Sequence, residues 1–219
     1  MRGALLAAAA AVGLLVAVPQ ALPQPAAGKG AATAADQRYT GRDRTYRMRV
    51  PELGAGVTVR DTMVNERTGW VEFASSEGAW LFVLSSRLVD GPRDARELES
   101  VKRRYADFAR QLPGRFIEHS AQGPFGPTWG FTLLNADPVT GYPVNLGYRP
   151  STDVHTAAVH RFFVRYGVLY ELAAVVERRG AAAGLDGAQL AARAGAILDA
   201  ALAGFEPVSI VRPEETKRK

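Results

Sequence analysis

Apolar and polar positions alternate along several short stretches of this chain, and along two longer stretches apolar residues recur every three or four positions. Thr45 to Val50 alternates and stops at Pro51, which predicts an opening strand. Gly54-Ala55-Gly56 reads as a turn. Val57 to Glu66 alternates again, with Val57, Val59, Asp61 and Met63 on one face. Arg67-Thr68-Gly69 then leads into Trp70–Ala74, and Ser75 to Gly78 into Trp80–Leu84. Short links between such strands make an antiparallel meander.

The period changes after Asp94. Leu98, Val101, Tyr105, Phe108 and Leu112 fall three or four apart, the stripe of an amphipathic helix. Asp94 and Glu97 form a capping pair at its start, and Pro113-Gly114 ends it. Strand character resumes at Arg115–His119. Gly123-Pro124-Phe125-Gly126-Pro127 follows as a rigid loop, and then the stretches Thr128–Asn135, Tyr142–Tyr148, Thr156–Tyr166 and Val168–Glu177.

The last two stretches read as a hairpin turning at Gly167. Matching their apolar faces sets Val164 opposite Tyr170 and Phe163 opposite Glu171, which leaves Glu171 and Glu177 on a wet face beside Arg161 and Arg165. A second helix is expected over Gly187–Gly204, with Leu190, Ala194, Ile197, Leu198, Ala201 and Leu202 as its core stripe and Gly204 as its cap. Phe205-Glu206-Pro207-Val208 packs back afterwards. The pattern gives an α+β fold, an antiparallel sheet of about six to eight strands flanked by two main helices.

The N-terminus changes the setting. Arg2 precedes sixteen residues, Gly3 to Val18, with no charged or polar side chain, and a proline-rich run begins at Pro19. Sixteen residues rise about 24 Å as a helix, short of the roughly 20 that span a bilayer. The expectation is a signal peptide or N-terminal anchor over 1–21, a flexible linker over 22–40, a single domain over 41–211 and a charged tail over 212–219. The protein would then work outside the cytoplasm, periplasmic or extracellular, or tethered by residues 3–18. There is no cysteine, which excludes disulfides and thiol chemistry.

The pI of about 9.7 invites a nucleic-acid reading. Residues 1–35 and 212–219 each carry a net +2, and 36–211 hold 21 basic against 20 acidic residues. With the folded body nearly neutral and no basic stripe interleaved with aromatics, no nucleic-acid partner is expected. Contact with a membrane would come only through an uncleaved N-terminal segment.

The order of strands, helix, strands, hairpin and closing helix resembles the Mog1/PsbP-like α/β sandwich. The likeness is carried by the strand from Tyr46 to Pro51, by Tyr170-Glu171-Leu172-Ala173-Ala174-Val175-Val176, and by the segment from Ile197 through Gly204-Phe205-Glu206-Pro207. It covers nearly all of 44–210. Proteins similar to that family are mostly binding or assembly factors, some exported in bacteria, without a shared enzymatic activity.

No motif nominates a catalytic, cofactor-binding or metal-binding residue. His155 and His160, five apart, cannot chelate one ion from a strand or a helix. His119 and Ser120 point apart on a strand, and no serine stands in Gly-x-Ser-x-Gly. The candidate binding segment is Gln122 to Gly130, where prolines and glycines fix a backbone that offers Phe125 and Trp129 as an aromatic lip, joined by Tyr142 and Asn145. The expected function is a non-enzymatic binding or assembly module of the bacterial cell envelope, its partner an envelope protein or a small ligand. Two alternatives stand beside it: a small-molecule carrier with a pocket between sheet and helices, and an enzyme assembled from Asp153, His155 and His160.

Overall fold

The computed structural model of this chain describes residues 38–88, 94–109, 116–142 and 153–209. The expected leader, most of the linker, the charged tail, Asn145 and the rest of the strand expected after Tyr142 lie outside these residues. So do the helix stop at Pro113-Gly114 and the side chains of Asp94, Tyr105, Phe108 and Leu112.

Among the described residues there are ten strands: β1 Arg38–Thr40, β2 Tyr46–Arg49, β3 Thr58–Asn65, β4 Thr68–Ala74, β5 Ala79–Arg87, β6 Phe116–Gly123, β7 Gly126–Leu134, β8 Thr156–Arg165, β9 Val168–Glu177 and β10 Phe205–Pro207. The two periodic stretches are the helices α1, Asp94–Ala109, and α2, Gly187–Ala203. A seven-stranded sheet of order β3-β4-β5-β9-β8-β7-β6 is antiparallel at every pairing, and a second sheet runs β1-β2-β10. This is the α+β build expected from the pattern. β1 was expected as linker; its residues pair with β2 across Arg38–Arg49, Tyr39–Met48 and Thr40–Arg47.

Both faces of the large sheet are covered. On one, the small sheet and α2 pack against Phe73, Leu81, Phe163, Tyr170 and Leu172 through Tyr46, Met48, Leu190, Leu198 and Phe205. Leu190, Ala194, Ile197, Leu198 and Ala201 are buried, as the period requires. Asp186 caps α2 in a reciprocal capping box with Gln189, and Gly204 closes its C-terminus. On the other face α1 lays Leu98 and Val101 against Trp80, Phe82, Trp129, Phe131 and Phe162.

Two turns differ from expectation. Gly123 pairs with Gly126, so Pro124-Phe125 is a two-residue hairpin turn, not a rigid loop, and β6 is longer than foreseen. The β8–β9 hairpin is shifted by one residue from the expected register. Arg165 pairs with Val168, Phe163 with Tyr170, and Phe162 with Glu171. The turn is Tyr166-Gly167, both in the left-handed region at φ 52° and 70°. A two-residue turn of that kind matches the natural strand twist, and it dictates the pairing. Polarity could not, because β8 and β9 are buried on both faces over most of their length.

Candidate functional site

The one-residue shift decides where the polar side chains meet. Glu171 does not sit on a wet face beside Arg161 and Arg165; with Phe162 as its partner it turns to the α1 face, where His160 also points. His160 is fully buried and stacks on Phe131 with ring centroids 4.4 Å apart. Its Nε2 lies 2.8 Å from Gly141 O, and its Nδ1 2.9 Å from Glu171 Oε1. A carbonyl only accepts, so Nε2 carries a hydrogen. One further proton therefore lies between Nδ1 and the carboxyl, and the pair is neutral whichever group holds it. The Tyr142 hydroxyl donates to the same carboxyl, at 3.0 and 3.1 Å from its two oxygens.

This network clamps the segment ending at Gly141-Tyr142 onto the sheet. The imidazole nitrogen that a substrate would need is sealed against a backbone carbonyl, so the arrangement as built is structural. The other members of the dispersed set lie elsewhere. Asp153 accepts from Arg178 at 2.6 Å and contacts His155 Nε2 at 3.1 Å on the surface. His155 stands five residues before His160, roughly 16 Å along an extended chain. Glu177 pairs with Arg179 at 2.7 Å and not with Arg161 or Arg165. Among the described residues no group of three or more His, Asp or Glu side chains is placed to hold a metal.

The aromatic lip is not assembled. Trp129 is 2% exposed on the α1 face, and its indole N–H donates to Glu118 Oε1 at 2.7 Å. Glu118 is held in turn by Lys102 of α1 at 3.5 Å. Phe125, at the hairpin turn, folds to the opposite face and stacks on Phe163 at 4.9 Å. A two-residue turn leaves no loop long enough to present both rings on one side. Tyr142 belongs to the clamp, and Asn145 lies outside the described residues.

What the structure does bring together is basic. Buried Tyr46 and Met48 alternate with exposed Arg47 and Arg49 on β2, so both arginines face away from the core. Arg38 on β1 lies directly opposite Arg49. These three line a groove of about 360 Å³ whose other walls include Gly204, Phe205 and Glu206 at the end of α2 and the start of β10. Glu206 pairs with Arg38 at 3.5 Å, both largely exposed, which contributes little. Among the described residues Arg47 and Arg49 have no carboxylate within ion-pair distance. Like charges opposed across two strands are destabilising unless something else compensates them.

This concentration was legible and was averaged away. Five arginines, 38, 42, 44, 47 and 49, stand against one acid, Asp43, in twelve residues. Asp43 itself is spent internally on Thr45 and Ser85. Summing charge over the whole body hides such a patch.

No family model matches the chain, and no curated protein does. Among solved structures, an uncharacterised protein of Bacteroides thetaiotaomicron VPI-5482 matches with a TM-score of 0.44 and 7% identity, over 83% of this chain and 56% of the other. The chain thus spans little more than half of that protein, and a likeness at this level carries no function.

Proposed function

We propose that this protein is an exported binding or assembly module of the bacterial cell envelope, and that it docks an acidic partner protein on the arginine-lined groove of the small sheet. The observation that carries the reading is the convergence of Arg38, Arg47 and Arg49 on one concave surface, where among the described residues Glu206 ion-pairs with Arg38 alone although it stands opposite Arg47 in the register. Charges placed this way steer an acidic partner to the surface and fix its orientation. The export segment read at residues 3–18 supplies the envelope setting. The Mog1/PsbP-like resemblance supports the reading to the extent that it implies an antiparallel sheet flanked by helices and members that are mostly binding or assembly factors.

A second reading is a carrier for a small polyanion, favoured by the groove's volume, which falls in the range of small-molecule sites. A photo-reactive residue at Thr40, beside Arg47 on the neighbouring strand, separates the two in intact cells. The docking reading expects an acidic envelope protein crosslinked in a salt-sensitive way. Normal export with no crosslinked protein at Thr40 would overturn it in favour of the carrier. Cell fractionation with N-terminal sequencing of the mature chain tests the export claim: recovery in the cytoplasm with Met1 and Arg2 intact contradicts it.

A further inference from the structure

At the β6 edge of the large sheet, on the face that α2 packs against, the register places three residues in a row: His119 on β6, Gly130 on β7 and Arg161 on β8. The middle position has no side chain. A Cβ at Gly130 would collide with the His160 carbonyl and come within 3.0 Å of the Arg161 guanidinium, so that group lies across the glycine, reaching from β8 towards β6. The Arg161 guanidinium thus covers Gly130 on this face, with the His119 imidazole on the strand beyond it. Thr132, two residues along β7, bonds its hydroxyl to His119 Nε2 at 2.8 Å.

Among the described residues the Arg161 charge is uncompensated at close range. Arg161 is half-buried and donates from Nη1 to the neighbouring His160 carbonyl at 3.1 Å. Among the described residues it has no carboxylate within ion-pair distance. Burial draws its proton affinity down, and only Asp199 of α2 acts against that, through space. Its remaining N–H groups are not buried without partners, so they face solvent. Burial, and then the charge of Arg161, push His119 below the ordinary imidazole value. In the tautomer where the Thr132 hydroxyl donates to Nε2, the hydrogen of a neutral His119 sits on Nδ1 and can donate.

A planar guanidinium laid over a glycine, beside an imidazole able to donate an N–H, is the donor set of an oxyanion receptor. We propose that the surface over Gly130 binds the carboxylate or phosphoryl group of a ligand, with Arg161 supplying charge and a planar fork and His119 a second donor. The site shares no residue with the arginine groove and does not depend on that assignment.

The test uses the purified protein, inorganic phosphate and acetate as probes at constant ionic strength, and the ring signals of the three histidines by NMR. His119→Gln assigns the His119 signal. The expected result is a saturable shift of His119 with at least one probe, beyond any shift of His155, and a rise in the pH at which His119 titrates. The sign follows from the bound negative charge, which favours imidazolium against burial and Arg161, so affinity increases as pH falls through the His119 titration. Arg161→Gln should weaken binding at least tenfold and Arg161→Lys less, while Arg104→Gln, exposed on α1, leaves it unchanged. If phosphate alone shifts His119 the ligand group is phosphoryl; if acetate does, it is a carboxylate. No saturable shift with either probe in the unmodified protein, which no folding defect can explain, overturns the proposal. So does an Arg161→Gln protein that folds and binds as before.

Discussion

The two faces of the seven-stranded sheet are built on different rules. The face under α2 and the small sheet is a continuous apolar and aromatic layer in which Tyr46 stacks on Phe205 at 5.0 Å and Phe163 on Tyr170 at 5.1 Å. Its buried polar ties are few: the Tyr170 hydroxyl donates to Thr45 O at 2.7 Å, and the Thr45 and Ser85 hydroxyls donate to Asp43. The face under α1 carries all three tryptophans, at 70, 80 and 129. It mixes them with His160, Glu171 and Glu72 below ten per cent exposure and with Glu118 bonded to Trp129. The first face gains its stability from area removed from water. The second must also satisfy every polar group it buries, and it does so for His160 and Glu171 but not for Glu72, whose Oε2 has no hydrogen-bond partner.

That contrast sets out what substitutions should do. The largest effect belongs to the apolar face: Phe163→Ala, at a fully buried ring, should cost about 4 kcal/mol in chemical denaturation. Next is the clamp. Glu171→Ala strands His160 Nδ1 and the Tyr142 hydroxyl, and should cost about 3 kcal/mol. Changing His160→Phe alongside Glu171→Leu should recover part of that loss, because an apolar pair leaves nothing unpaired. If the double variant is no better than Glu171→Ala, the clamp is not the reason for the cost.

Glu72 sharpens the comparison with the opposite sign. Burial raises its carboxyl above the usual range, with the nearby Arg60 only partly offsetting it. The folded state therefore holds the proton more tightly than the unfolded one, so this group favours folding at low pH and that stability is lost as pH rises through the raised value. Glu72→Gln should accordingly be about 1 kcal/mol more stable than the parent at pH 7. The advantage should shrink as pH falls towards the ordinary carboxylate value of 4.5. An unchanged advantage at low pH would show that the strain is steric. Smallest is the α2 cap, where Asp186→Ala should cost about 1 kcal/mol and touch neither face.

The α2 face was largely readable in the sequence, because its side chains follow the two simple periods. The stripe from Leu190 to Ala201 and the alternation around Tyr46 and Met48 mark burial directly. The α1 face was not readable, since Phe162, His160 and Glu171 follow no polarity rule that a strand buried on both sides must obey. Its meaning hung on a turn. Reading Tyr166-Gly167 as a two-residue left-handed turn would have set Phe162 opposite Glu171 and brought His160 and Glu171 onto one face. The aromatic lip failed for a related reason, the shortness of the Pro124-Phe125 turn. The arginines were visible as letters, yet only the pairing of β1 with β2 shows that Arg38 and Arg49 stand side by side.

The central strands of the large sheet are covered on both faces, and the outer surface of the small sheet, exposed and lined by Arg38, Arg47 and Arg49, is where the proposed docking takes place. Reversing charge there with Arg47→Glu and Arg49→Glu together is the most direct test. The photo-crosslink at Thr40 should disappear while thermal stability changes little, because the replaced side chains are exposed and relief of the Arg38–Arg49 opposition offsets the new like-charge opposition to Glu206 at position 47. Crosslinking that persists at full strength in a folded double variant would contradict the claim.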